Sequence, residues 1–197
     1  MRTDPVTLAI AIDPPIEHNG GTIAELRLRE PRAGEVKSAE TVLRDGTDVD
    51  RLRWYQTKLI ASVSGVPADA LAKLRIGLFR QAADFLDGFT SAGLDGEDHA
   101  GLDTLELPVE PPVVINGVTY DCLALREPTL GDVRAAGSNL RNGAPPDATR
   151  AYQIALVKNV SGWPLQAVEL LPISVLNVAG MFCQNFLSVG LKTGSSS

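Results

Sequence analysis

Apolar and polar side chains alternate along Val6-Thr7-Leu8-Ala9-Ile10-Ala11-Ile12, a period of two that turns one face of a strand toward a core and the other toward water. A similar alternation returns at Leu105-Glu106-Leu107-Pro108-Val109. A double proline follows each stretch, Pro14-Pro15 or Pro111-Pro112, and is expected to stop the strand, because proline has no amide hydrogen to give a ladder. Next come a short strand, then Asn19-Gly20 or Asn116-Gly117, then a strand bearing Ile23, Leu26 and Leu28 or Leu123 and Leu125. Asn-Gly accepts the positive φ values of a two-residue hairpin turn, so a β-hairpin is expected at both places. Both hairpins end in the same four letters, Leu28-Arg29-Glu30-Pro31 and Leu125-Arg126-Glu127-Pro128, with the proline closing the strand.

The period then lengthens. Gly34, Val36, Ala39 and Leu43, like Gly131, Val133, Ala136 and Leu140, are small or apolar residues at helical spacing, and Thr129 with Asp132 suggests a capping arrangement. A longer helix is expected to start at Asp50 or Asp147 as N-cap and to end at Gly65 or Gly162, with Pro67 or Pro164 just beyond. A helical turn and a last helix, around Arg75 to Phe89 and Pro172 to Leu187, complete the unit.

These parallels share one offset: 128 − 31 = 97. Set 97 positions apart without a gap, Tyr55-Gln56 meets Tyr152-Gln153, Val63-Ser64-Gly65 meets Val160-Ser161-Gly162, and Phe85 and Phe89 meet Phe182 and Phe186. The chain therefore reads as a tandem duplication with the period of a small domain. The fold class is α+β: two copies, each a strand plus hairpin followed by three to four helices. The expected divisions are a first unit at 1–91, an acidic, glycine-rich flexible linker at 92–102, and a second unit at 103–197 with a frayed serine tail.

Composition adds exclusions. The 197 residues carry a net charge of −6, which argues against a nucleic-acid partner, since a grip on phosphates needs clustered Lys and Arg. Cys122 and Cys183 fall only in the second copy, opposite Glu25 and Leu86, and suit plain thiols in a reducing compartment. No secretory signal is visible at Met1-Arg2-Thr3-Asp4-Pro5. From Leu170 to Leu191 no residue is charged, but Pro172, Asn177, Gln184 and Asn185 and the charged counterpart stretch in the first copy argue against a membrane span.

A search for catalytic chemistry yields little. Ser64 and Ser161 stand in Val-Ser-Gly, not in the Gly-x-Ser-x-Gly elbow of a hydrolase. His18, on a hairpin, and His99, in the linker, lack metal-ligand spacing and are expected to be solvent-exposed. Arg29-Glu30 and Arg126-Glu127 read as solvated or cross-strand ion pairs. No enzyme activity, cofactor or metal is expected.

The differences between the copies are informative. Residues 1–96 hold 12 Lys or Arg and 14 Asp or Glu, while 97–197 hold 6 and 10, together the 18 and 24 of the whole chain. The loss is concentrated in the last helix, where Lys73, Arg75, Arg80, Asp84 and Asp87 become Leu170, Pro172, Asn177, Met181 and Gln184. A helix apolar nearly all round must be covered on more than one side, by the first copy or by another protein. For the second case the contact is assigned to Val175, Leu176, Val178, Ala179, Met181, Phe182, Phe186 and Leu187.

The repeated pattern of Asn-Gly, Leu-Arg-Glu-Pro, Gly34-x-Val36 and Val-Ser-Gly-x-Pro resembles the tail assembly chaperones of Mu-like and P2-like contractile-tailed phages. The residues carrying the likeness include Asn19, Gly20, Arg29, Glu30, Pro31, Gly65 and Pro67, with Asn116, Gly117, Arg126, Glu127, Pro128, Gly162 and Pro164 in the second copy. The resemblance implies a non-enzymatic protein of the host bacterial cytoplasm that binds the tape-measure protein and keeps it soluble until the tail tube polymerises. Tail-tube protein and self-association are further expected contacts, and absence from the mature virion is implied. The alternative is a structural, tube- or baseplate-associated component of a contractile tail or related injection machine.

Overall fold

The computed structural model describes residues 6–92, 102–140 and 145–188. Asn19 and Asn116 take φ of 48° and 50°, and Gly20 and Gly117 take 77° and 81°, the paired positive values that let two antiparallel strands turn tightly. Strand β1 (Thr7–His18) thereby pairs with β2 (Gly21–Arg29), and β3 (Thr104–Ile115) with β4 (Val118–Arg126). The double prolines do not end the strands, contrary to expectation. Ala11 pairs with Glu25 and Ile16 with Ile23, so the four residues from Ile12 to Pro15 bulge opposite Ala24 alone, and the strand resumes beyond them. Proline is tolerated because a bulge asks nothing of its missing amide hydrogen. The Asp13-Pro14 and Glu110-Pro111 peptides are both cis.

In the first unit, helices α1 (Ala33–Glu40), α2 (Val49–Ser64), the single turn α3 (Ala68–Leu71) and α4 (Ile76–Ser91) follow, with a 3-10 turn at Thr41–Leu43. In the second, α5 (Leu130–Gly137), a 3-10 turn at Ser138–Leu140, α6 (Pro146–Ser161), α7 (Leu165–Glu169) and α8 (Ile173–Ser188) repeat the order. A two-stranded sheet is only marginally stable in water, so each hairpin rests its apolar face on helices. Leu26 and Leu28 are buried over α2, and Leu123 and Leu125 over α6. Gly65 and Gly162 both stop their helices at φ 73°, a left-handed conformation that costs glycine little.

Helix starts differ from expectation. The N-cap of α2 is Asp48, whose carboxylate accepts from the Asp50 and Arg51 amides. Helix α6 starts without a side-chain cap at Pro145-Pro146, which leaves Asp147 free for another partner. Thr129 and Asp132 do form the reciprocal box that starts α5.

One buried core runs through both units, from Ile10 and Leu26 to Leu123, Phe182 and Cys183. Among the described residues no helix is long and apolar enough to cross a membrane. Residues 93–101 of the expected linker, His99 and the serine tail lie outside the described residues.

Candidate partner-binding surface

Helix α8 is apolar nearly all round because it is covered from two directions, by its own unit and by the first. Its first amides have no partners inside the helix. The Ile173 amide donates to the Pro31 carbonyl at 2.9 Å and the Ser174 amide to Glu30 Oε1 at 2.8 Å, while the Ala33 amide donates back to the Leu171 carbonyl at 2.9 Å. The strand end of the first unit thus caps the last helix of the second, with a carboxylate at the positive end of the helix dipole. Leu171, Ile173, Leu176, Ala179, Phe182 and Cys183 retain no accessible surface.

Polar groups close the junction between the units. Asn177, fully buried, donates from Nδ2 to the Thr90 and Ala92 carbonyls at 3.0 Å each and accepts from Arg150 Nη1 at 2.9 Å. Arg150 also reaches Gln153 Oε1 at 2.8 Å and Glu40 Oε1 of α1 at 3.1 Å. Arg44 pairs with the buried Asp147 at 2.6 Å, and Lys37 pairs with Glu169. Burial pushes the Glu40 carboxyl above its ordinary value although Arg150 pulls it down, whereas the Arg44 hydrogen bond holds Asp147 below its own. Burial, reinforced by the Glu40 and Asp87 carboxylates, also raises the Tyr55 hydroxyl.

The model of the family described as "Phage tail assembly chaperone proteins, E, or 41 or 14" matches residues 9–91 and again 104–188. The chain belongs to this family. Two successive matches in one chain agree with the 97-residue offset and with the two repeated sets of elements. No curated protein and no solved structure matches.

In this tail assembly chaperone family member, the residues assigned to a partner contact divide into two groups. Leu176, Ala179 and Phe182 are occupied by the protein's own core and present nothing to a partner. Val178 and Met181 are half-buried, Val175 and Phe186 pack along the core's edge, and Leu187 is 40% exposed. Of the two coverings open to this helix, the first copy or another protein, the first copy takes part through α1 and α4.

The repeated polar motifs have structural work of their own. Arg29 does not pair with Glu30's carboxylate. It donates to the Glu30 carbonyl at 2.9 Å and to both Glu35 oxygens at 2.6 and 3.0 Å, locking the strand end to the first turn of α1. Arg126 repeats this with the Glu127 carbonyl and Asp132, whose carboxyl the hydrogen bond from Arg126 drives well below the usual range. The reading as solvated or cross-strand pairs is corrected here: the acid three residues into the following helix was the missed partner. Ser64 accepts from the Val66 amide at 3.1 Å and Ser161 from the Trp163 amide at 3.2 Å, so both serines finish a helix. His18 is largely buried, its side chain only 11% exposed, beside Asn19 and 3.6 Å from Asp69, not out in solvent as expected. Cys122 is exposed and Cys183 buried, and neither forms a disulfide. Among the described residues no cluster of His, Cys, Asp or Glu is arranged to hold a metal ion.

One feature escaped the sequence reading altogether. A groove of about 410 Å³ opens on the first unit between α2 and the start of α4, lined by Trp54, Thr57, Leu74, Ile76 and Phe79 among others. Trp54 and Ile76 are 62% and 67% exposed. Trp54 carried no signal because its counterpart is Ala151, and only an equivalence in space connects the groove with a contact made elsewhere.

Proposed function

We propose that the chain binds the tape-measure protein in the host cytoplasm, holds it soluble until tube subunits replace it, and is left out of the finished virion. The observation that carries this reading is that both units belong to the tail assembly chaperone family, with no competing catalytic signature in the sequence. The contact falls to the accessible part of α8: Val178 and Met181, three residues apart on one side, with Val175 and Phe186 beside them, while Leu187, nine residues after Val178, comes out on the opposite side. Such a small apolar strip suits a long helical client, since it covers an apolar stripe weakly enough to be displaced. Two linked units raise the effective concentration of any second contact without new chemistry.

Co-expression with the tape-measure protein of the same phage tests it. The wild-type chain is expected to raise the soluble fraction of that protein and to co-purify with it. Met181→Lys is expected to lose the co-purification while keeping the wild-type circular dichroism. A tape-measure protein that stays equally insoluble beside the wild-type chain would overturn the proposal. Phe182 is unsuitable for this experiment because a charge there would disrupt the core.

A further inference from the structure

The contact between the two units is not symmetric. The first unit contributes its strand end, α1 with the 3-10 turn after it, and α4; the second contributes α6, α7 and α8. Because the units are copies, each surface exists twice. The second unit carries its own version of the inserted segment, and the first unit carries its own version of the receiving face.

Positions that differ in burial between the copies trace both spare surfaces. Ala33, fully buried at the junction, corresponds to Leu130, which is 64% exposed on α5. Ile173, also fully buried, corresponds to Ile76, which is 67% exposed. The groove lined by Trp54, Leu74, Ile76 and Phe79 lies at the positions that receive the first unit on α6 and α8. The docking atoms are retained as well. Glu127 and Pro128 stand where Glu30 and Pro31 cap α8, and the spare helix α4 begins at Ile76-Gly77 with no side-chain cap from Arg75. Gly131 repeats Gly34, whose lack of a side chain allows the Glu169 backbone to approach.

We infer that a second copy of this chain docks the start of its α5 into the groove of the first unit, repeating between chains the contact made within one. Leu130 enters the groove beside Trp54 and Phe79, the Pro128 carbonyl and Glu127 carboxylate cap the Ile76 and Gly77 amides, and the assembly grows head to tail. The contact is weaker than its intrachain counterpart. Lys37–Glu169 becomes Arg134 opposite Ala72, and Arg150–Glu40 becomes Arg53 opposite Gly137, so two ion pairs are lost. The intrachain contact also has the advantage of a covalent link, equivalent to an effective concentration in roughly the millimolar range. Head-to-tail contacts of this kind produce rings or open chains, not isolated symmetric dimers.

Sedimentation velocity and light scattering from about 10 μM to 1 mM test it, a span that reaches the effective concentrations of tethered contacts. The wild-type chain is expected to rise above its 20.9 kDa monomer mass with concentration. Leu130→Asp and Ile76→Asp, both at exposed positions that tolerate charge, are each expected to stay monomeric with unchanged circular dichroism. Mixed together they are expected to form a dimer and nothing larger, because each variant keeps the surface the other lacks. A symmetric interface would give no such rescue. A wild-type chain monomeric across the range, or variants that associate as the wild type does, overturns the inference, and neither outcome touches the tape-measure reading.

Discussion

Asn177→Ala removes the side chain through which the second unit holds the end of the first. Asn177 has no accessible surface and makes three hydrogen bonds, two to the Thr90 and Ala92 carbonyls and one from the Arg150 guanidinium. A neutral hydrogen bond contributes about 0.5–1.5 kcal/mol and one to a charged group about 1.5–3 kcal/mol, so the three together amount to roughly 2.5–6 kcal/mol. The loss is concentrated at the junction, since Arg150 keeps Glu40 and Gln153 but both carbonyls lose their Asn177 donor. Allowing for water entering the vacated space, a loss of about 3–5 kcal/mol is expected, which for a chain of this length lowers the melting temperature by roughly 6–20 °C. Thermal and urea unfolding followed at 222 nm measure it. The wild-type chain, with one core through both units, is expected to unfold in a single transition, and the variant at a lower midpoint or in two steps with smaller slopes. A loss below about 1 kcal/mol would refute the assignment of Asn177 as the junction's central polar contact, because removing so many buried partners cannot be that cheap.

The repeat supplies a matched pair of glycines. A Cβ on Gly34 would lie 3.1 Å from the Glu169 carbonyl oxygen, whereas one on Gly131 would meet nothing nearer than Thr129 Oγ1 at 3.5 Å. Gly34→Ala is therefore expected to destabilise the chain by about 1–2 kcal/mol, while Gly131→Ala is neutral or stabilising by up to about 1 kcal/mol from helix propensity; chemical denaturation compares them. The cysteines should differ in reactivity. Burial, with Asp132 nearby, pushes the Cys183 thiol up to about 12, so at pH 8 a thiol reagent is expected to titrate Cys122 alone in the native protein and both in denaturant.

Much of the unit was legible in sequence because its signals are local. Asn19-Gly20 and Asn116-Gly117 specify their turns through two residues' backbone preferences, and Gly65 and Gly162 end helices for the same reason. Period two and period 3.6 then locate strands and helices, and the 97-residue offset reveals that everything occurs twice. The errors arose where a local rule met a non-local partner. Pro14-Pro15 reads as a stop until its own strand is seen to bulge opposite Ala24 and resume, and Asp147 reads as a cap until Arg44, 103 positions away, claims it.

By itself the sequence determined the hairpin turns, the helix ends, the duplication and the concentration of apolar residues in the last helix, all properties of neighbouring residues or of a fixed spacing. Only the tertiary structure decided what covers that helix, which copy inserts and which receives, and where each surface is left over. Two units of the same architecture carry similar patterns, so a pattern cannot choose between their faces. The choice lies in contacts such as Ser174 to Glu30, spanning 144 positions, where the free energy of burial and of capping a helix end is realised only once both units are folded against one another.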